Sequence, residues 1–366
     1  MKIPFVSFEK QYIETKEDIL LSIEKAIDSK WYVLGQNLID FESNFKKFNK
    51  VKFSIGVGSG IDALIISLRA LNIRENDEVI VASNAYIASW LSISNVGATI
   101  VPVEPDEKTF NIDPSKIEEK ITKNTKVIMP VHLFGQPCEM DKITSIAKKY
   151  DLFVVEDNAQ AHLAMFDNKL TGTFGKINAT SFYPTKNIGA IGEAGCITTN
   201  DKELSLFASK YRNYGSSEKY ICDIIGTNSR LDEIQAAILN VKLKHIEKWT
   251  IERQKIAQLY NQRLSEIIET PFKHQKSSHV YHLYVIKTSK RDKLQEFLSK
   301  RNIGTAIHYP IPPHLQKAYE HLNYKKGDFP VAEKLANQSL SLPVYPGLKE
   351  DEINYVCDSI FEFFKS

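Results

Sequence analysis

The chain has 366 residues and a mass of 41.7 kDa, which allows two domains of ordinary size. Apolar residues make up 43% and charged residues 25%, a balance that excludes a disordered polymer, a collagen-like fibre and a membrane bundle. The 47 basic and 45 acidic residues leave a net charge of +2, without a basic block that would indicate a nucleic-acid or anionic-membrane partner. Because the opening segment is charged and polar where a signal peptide would be apolar, we expect a cytoplasmic protein.

Short apolar runs alternate with amphipathic stretches from residue 51 to 200. Residues 61–72 and 140–150 have helical spacing of apolar positions. Buried strands are predicted in FSIGVGSG (53–60), EVIVAS (78–83), TIVPVEP (99–105), KVIMPVHLFG (126–135) and LFVVEDNAQ (152–160). Continuous apolar strands between helices predict an α/β fold with a mostly parallel sheet that is covered on both faces.

The pattern changes after residue 228. Ser229 and Asp232 resemble a capping box, and a single long helix is predicted from there to about Ile267. A strand (279–288), a helix (293–302), a proline-rich loop (308–315) and a closing helix (354–364) follow. The sequence therefore predicts a large domain over residues 1–248 and a small α+β domain over residues 249–366.

Three features could carry chemistry. The glycines Gly56, Gly58 and Gly60 stand between a strand and a helix, where free backbone amides can bind an anion, although a tight turn would need the same residues. The pair Glu156–Asp157 ends a strand that is too apolar to lie on the surface, and strand ends of this kind line ligand crevices.

The third feature is Lys186, the lysine of a mainly apolar, glycine-rich loop, although most loop lysines simply face the solvent. A desolvated lysine has a lowered pKa, and its free amine can attack a carbonyl group. A phosphate site, a buried acid and a loop lysine in this order are what pyridoxal phosphate (PLP) requires, and Tyr86 follows a strand where it could pack against the ring.

Four widely spaced cysteines are expected to be reduced thiols.

These residues lie in motifs that resemble those of the DegT/DnrJ/EryC1/StrS sugar aminotransferases, which have the aspartate aminotransferase-like type I fold of PLP-dependent transferases. The resemblance covers almost the whole chain. The motifs that carry it are WYVLG (31–35), SGIDAL (59–64), PVHLFG (130–135), EDNAQAH (156–162), FYPTKN (182–187), RNYG (212–215) and GTNSRLDE (226–233).

The resemblance implies a role for each matching position. Lys186 would form the Schiff base with PLP, and Asp157 would pair with the pyridine nitrogen. The remaining cofactor residues would be Gln160 at the phenolic oxygen, Ala159 and Tyr86 on the two ring faces, Gly60, Ile61 and Ser181 at the phosphate, and Asn228 at the phosphate of the neighbouring subunit's cofactor. The active unit would then be a homodimer with shared active sites. Departures from the family pattern are Ile61 for a frequent threonine, Leu163 for a frequent glycine and Asn158 for a frequent alanine.

The identity of the sugar is a finer question. Tyr183 stands where relatives that act on C4 often carry histidine, and its surroundings look more like those of the C3 enzymes. Tyr183 would then be a substrate-binding residue, together with His308, Tyr309 and His314. A proline-rich loop could equally bury the last three for structural reasons, and the two histidines do not form a convincing metal pair.

The sequence thus predicts a PLP-dependent aminotransferase that moves the amino group of L-glutamate to C3 of a dTDP-linked 3-keto-6-deoxyhexose, a precursor type for O-antigen or S-layer glycans. A C4-specific aminotransferase or a sugar dehydratase of the same fold stays open. A NAD-dependent oxidoreductase is the alternative from another class, because Glu78 lies about the right distance beyond the glycines to bind a ribose.

Overall fold

The computed structural model describes residues 1–365, which form one large central sheet and three short two-stranded sheets. The strands are β1 (Phe53–Val57), β2 (Glu78–Ala82), β3 (Thr99–Val103), β4 (Thr125–Met129), β5 (Phe153–Asp157), β6 (Met165–Phe166), β7 (Lys169–Leu170), β8 (Ile177–Ser181), β9 (Gly195–Thr199), β10 (Ser216–Glu218), β11 (Ile221–Cys222), β12 (Tyr284–Lys287) and β13 (Ser339–Leu342). The helices are α1 (Glu9–Asp28), α2 (Gln36–Asn49), α3 (Gly60–Ala70), α4 (Ile87–Asn95), α5 (Met140–Lys149), α6 (Lys202–Tyr211), α7 (Glu233–Leu243), α8 (Ile246–Leu264), α9 (Arg291–Lys300), α10 (Pro330–Gln338) and α11 (Glu350–Lys365).

The central sheet has seven strands in the order β1-β9-β8-β5-β4-β2-β3. Strand β9 runs antiparallel to both of its neighbours, and the other six strands share one direction. Buried aliphatic residues fill the sheet and the helices beside it, as the apolar strand pattern requires. The predicted α/β fold with a mostly parallel sheet is confirmed. Since the carboxyl ends of the six parallel strands lie at one edge, the residues that follow them meet there.

The single long helix predicted after residue 228 is wrong. Helix α7 ends at Leu243 and α8 begins at Ile246, so the segment is two helices. The capping box is also absent from the structure, because Asp232 precedes α7 without a side-chain capping bond. The Ser229 hydroxyl instead donates to Asp62 Oδ2 over 2.8 Å and accepts the Gly58 amide over 3.0 Å, since tertiary contacts with α3 outcompete the local cap.

A second apolar core lies beyond the central sheet. It joins one face of α8 to α9, α11 and the antiparallel two-stranded sheet of β12 and β13. Ile3 lies in this core and pairs with Ile303, so the N-terminal residues pack on the C-terminal part of the chain. The boundary at residue 248 stays a prediction. Across residues 1–365, none of the helices combines the length and the apolar character that crossing a bilayer would need.

Candidate active site

The N-terminus of α3 lies against the end of β8. Ser59 caps the helix by accepting the Asp62 amide over 3.1 Å, which leaves the first amides, those of Gly60 and Ile61, without helical partners. A Cβ on Gly60 would come within 2.5 Å of the Ser181 Cβ, so only glycine allows this approach. The structure therefore brings Gly60, Ile61 and Ser181 together as free amides beside a hydroxyl, which is an arrangement suited to a phosphate.

The two acids that end β5 have different surroundings. The Glu156 carboxylate is fully buried and accepts the amides of Gly172, Phe174 and Gly175 over 2.6–2.8 Å, so it fixes the turn before β8. Asp157 accepts the Ser89 hydroxyl over 2.7 Å and the Ala159 amide over 3.1 Å. Because neighbouring side chains of a strand point to opposite faces, only Asp157 is left to serve the site.

A histidine that the sequence analysis missed supports this acid pair. His132 is fully buried, and its Nε2 lies 2.8 Å from the Glu156 carboxylate. Its Nδ1 accepts the Cys138 amide over 3.1 Å, so Nε2 carries the proton and donates it to Glu156. The ring thereby satisfies the fourth acceptor position of a buried carboxylate. The motif PVHLFG that contains His132 was the available signal.

Lys186 lies in a tight loop that leads from β8 towards β9. Its amide donates to the Tyr183 carbonyl over 2.8 Å, and a Cβ on Gly189 would lie 2.3 Å from the Pro184 carbonyl, so the loop closes on itself. Burial lowers the pKa of Lys186 to about 8, while the nearby Asp157 carboxylate acts in the opposite direction. At pH 7 about a tenth of an amine with this pKa is deprotonated, which is far more than for an ordinary lysine and is the direction that its predicted role needs.

Two tyrosines and a glutamine form a connected group of side chains. The rings of Tyr86 and Tyr309 are tilted, with centroids 4.9 Å apart. Gln160 accepts the Phe134 amide over 2.7 Å and donates to the Tyr309 hydroxyl over 3.1 Å. Its amide is therefore oriented from both ends, and Ala159, just before it, is half-buried beside Asp157.

The predicted substrate residues separate into two groups. His308 lines a cavity of about 200 Å³ together with Lys186, and Tyr183 is 46% exposed on the same loop as the lysine. His314 is not among the residues that line this cavity. It is buried, with its Nε2 3.2 Å from the Glu333 carboxylate, so a structural contact explains this histidine without a substrate.

Asn228 is exposed in the described chain, between Thr227 and the buried Ser229 that bonds to α3. Its backbone pairs with Asn213, which fixes the position of the side chain but gives it no partner among residues 1–365. Leu163 has a φ of +68°, in the left-handed region that glycine tolerates best, which is a physical reason for the glycine that the family resemblance led us to expect there.

The position of Glu78 removes the basis of the oxidoreductase alternative. Glu78 is the first residue of β2 and accepts the hydroxyls of Thr122 and Thr125 over 2.6 and 2.8 Å. The N-terminus of α3 follows the carboxyl end of β1, which runs parallel to β2. The acid and the glycines therefore lie at opposite edges of the sheet and cannot bind one dinucleotide.

Comparison with known proteins identifies the family to which these site residues belong. The family model described as "DegT/DnrJ/EryC1/StrS aminotransferase family" matches residues 13–361. The chain belongs to this family. It is 45% identical, over 98% of both chains, to a dTDP-3-amino-3,6-dideoxy-alpha-D-galactopyranose transaminase of Aneurinibacillus thermoaerophilus. It is 41% identical to a dTDP-3-amino-3,4,6-trideoxy-alpha-D-glucose transaminase of Streptomyces venezuelae, over 99% of this chain and 96% of that protein.

Solved structures agree with this membership. S. venezuelae DesV, crystallised with a ketimine intermediate, superposes with a TM-score of 0.98 at 40% identity and covers 100% of this chain and 99% of its own. NtdA of Bacillus subtilis, solved with bound PMP, has a TM-score of 0.93 at 32% identity. The match covers 100% of this chain and 86% of the NtdA chain. The predicted type I fold, the aminotransferase activity and the cofactor are confirmed: the protein is a PLP-dependent aminotransferase.

The residues present fit PLP. The cradle of Gly60, Ile61 and Ser181 suits its phosphate, the Asp157 carboxylate suits its ring nitrogen, and Lys186 suits its aldehyde. Bound PLP supplies an electron-withdrawing ring that stabilises charge at the carbon from which a proton is removed.

Proposed function

We propose that this enzyme transfers the amino group of L-glutamate to C3 of a dTDP-linked 3-keto-6-deoxyhexose, giving a dTDP-3-amino-3,6-dideoxyhexose and 2-oxoglutarate. The observation that carries the proposal is the Lys186 amine, with its pKa lowered to about 8, near a carboxylate that two donors hold in place. The names of the two transaminases that are 45% and 41% identical support the C3 position and the dTDP group.

Each site residue then has a chemical task. Asp157 holds a proton on the ring nitrogen, and its bonds from Ser89 and Ala159 leave the carboxylate little freedom to turn away. As a free amine, Lys186 takes the proton from the substrate carbon at the start of the amino-group transfer. It gives a proton back before the transfer is complete. Tyr86 and Ala159 would pack against the two faces of the ring, and Gln160 would donate a hydrogen bond to its phenolic oxygen.

We also propose that the active unit is a homodimer in which Asn228 reaches the phosphate of the partner subunit's cofactor. Exposed aromatic and aliphatic side chains lie on the segments nearby in the sequence, as expected of a surface that another chain covers. These residues are Tyr214, Tyr220, Ile221 and Ile225.

A cytoplasmic location agrees with the cysteines, since all four are free thiols and three are buried. The assignment of the product to an O-antigen or S-layer glycan stays a prediction.

The test is to give purified holoenzyme L-glutamate with either a C3-keto or a C4-keto dTDP-6-deoxyhexose. We expect one 2-oxoglutarate for each amino sugar formed, with nitrogen at C3 by NMR. Nitrogen at C4 would identify the C4-specific alternative. A product that has lost a hydroxyl group and gained no nitrogen would identify a dehydratase.

A further inference from the structure

Helix α7 packs against the chain segment that follows Lys186. Two residues of this segment, Ile188 and Ala190, are fully buried. They lie in one apolar cluster with Ala236 and Leu239 of α7. The second half of the lysine loop is therefore in direct contact with the helix.

Two polar side chains of α7 bind the backbone of the same segment. Lys242 Nζ donates to the Gly189 carbonyl over 2.7 Å. Gln235 accepts the Ile191 amide over 2.9 Å and donates to the Ile191 carbonyl over 3.1 Å. Because positions 235 and 242 are about two helical turns apart, both side chains project from one face of the helix. Residues 189–191 are thus bonded to α7 at both ends.

Lys242 is a cation that the fold buries without an anion. It is 8% exposed and forms no ion pair within the described residues 1–365. Burial lowers the pKa of Lys242 to about 8, and no nearby charge acts against that shift. A buried ammonium group is unfavourable, so packing alone would be served better by an apolar side chain. Its hydrogen bond to the lysine loop is what an apolar residue could not provide.

The rest of the loop is held by few bonds. The Ala190 amide donates to the Phe182 carbonyl over 2.8 Å, which closes the base of the loop. The Asn187 side chain donates to the Val280 carbonyl over 3.1 Å. The position of the Lys186 amine thus depends on a short loop whose returning segment is fixed by α7.

We propose that Lys242 and Gln235 are positioning residues for Lys186, which hold residues 189–191 against α7 and thereby keep the lysine amine buried. The inference rests on the proposed attachment of PLP to Lys186 and does not depend on the identity of the sugar. Burial is the main cause that lowers the pKa of Lys186, so a loop that opens would return the amine to water and raise its pKa. The two α7 residues act on the amine through the loop, without touching the cofactor.

The experiment measures, by stopped-flow absorbance, the rate at which PLP attaches to the apoenzyme as a function of pH, without amino donor or sugar. Only the free amine of Lys186 attacks, so the midpoint of the curve reports its pKa. In Lys242→Met attachment should still take place, but the midpoint should rise by about one pH unit, which lowers the rate at neutral pH about tenfold. Gln235→Leu should shift the midpoint in the same direction. Lys242→Arg keeps a donor and should lie closer to wild type.

Lys287 is the matched control, because it is also a buried lysine that donates to a backbone carbonyl. Its Nζ bonds to the Glu107 carbonyl over 2.8 Å and pairs with Glu269, neither of which belongs to the lysine loop. Lys287→Met should lower the melting temperature, as Lys242→Met does, but leave the midpoint of attachment unchanged. Hydrogen–deuterium exchange gives a second measurement, since the amides of residues 183–192 should exchange faster in Lys242→Met than in wild type or Lys287→Met.

An unchanged midpoint in a folded Lys242→Met variant would overturn the inference, even if its loop exchanged faster, because Lys242 would then serve stability alone. An equal shift in Lys287→Met would also overturn it, since general destabilisation would be the cause. If Lys242→Met does not fold, Gln235→Leu decides by the same measurement, because that side chain is only half-buried. If borohydride reduction attaches PLP to another residue, the role of Lys186 fails and the inference with it. Labelling at Lys186 with an unchanged midpoint refutes only the role of α7.

Discussion

Ser89 donates a hydrogen bond to the Asp157 Oδ2 over 2.7 Å, and both side chains are buried at the carboxyl edge of the sheet. Ser89 belongs to α4, three residues after Tyr86, so one helical turn carries both the ring-packing tyrosine and the donor that orients the acid. The other carboxylate oxygen accepts the Ala159 amide, which leaves the acid fixed in one orientation.

Replacement of this acid tests its charge separately from its shape. Asp157→Asn should keep PLP bound but slow the glutamate half-reaction by about 10²- to 10³-fold, the usual effect of removing a preorganised electrostatic contact. Single-turnover absorbance measurements follow that step. An unchanged rate would make Asp157 a structural residue only.

Lys186→Ala should abolish transamination and leave the fold intact, because the amine both attaches the cofactor and moves the proton. Borohydride reduction of the wild-type holoenzyme should leave PLP covalently bound to Lys186, as shown by peptide mass. Lys242 is a control, since it is also a buried lysine but donates to the Gly189 carbonyl. Lys242→Met should still be labelled at Lys186. Retention of a tenth of the activity by Lys186→Ala would contradict the assignment.

The pH dependence of cofactor attachment reports the pKa of Lys186 in the apoenzyme. Only the free amine attacks, so the rate should rise with pH and level off above about 8, whereas an ordinary lysine would continue to gain rate up to about 10.5. The Asp157 carboxylate favours the protonated amine, so Asp157→Asn should move the midpoint to lower pH. Stopped-flow absorbance across about pH 6–11, a range that includes the pKa values of both the buried and the ordinary lysine, measures both curves. A midpoint at or above that of free lysine would contradict the burial argument.

Glu156→Gln should lower the free energy of unfolding by about 2 kcal/mol, because a neutral amide cannot accept all the donors that the buried carboxylate satisfies. Thermal unfolding measures the loss. Glu118 bonds to Lys149 on the surface, and Glu118→Gln should leave the melting temperature nearly unchanged. If both variants melt alike, the turn at 172–175 does not depend on Glu156.

Mixed dimers test the role of Asn228. Asn228→Asp should be inactive alone, because a carboxylate would repel the phosphate. In a dimer with a Lys186→Ala subunit, one composite site carries both changes and the other carries neither, so activity should partly return. Mixed dimers that form without any recovery would place the phosphate site within one chain.

Local sequence patterns were sufficient to predict many of the secondary-structure elements, the family and the cofactor of this protein. Strands β1 to β5, helices α3 and α5, the glycine turn before α3 and the lysine loop follow from periodicity and turn residues, which act over a few positions. The motifs around Asp157 and Lys186 were sufficient to predict the family and the cofactor, both of which are confirmed.

Only the tertiary structure decided which partner each polar group found. It separated Glu156, satisfied by a distant turn and His132, from Asp157, which serves the site. It gave Ser229 a bond to Asp62 in place of a helix cap, and it placed Lys242 at the Gly189 carbonyl of the lysine loop. The physical reason is that these contacts join residues far apart in the chain, and a buried polar group is stabilised by whichever partner the packed fold brings within reach.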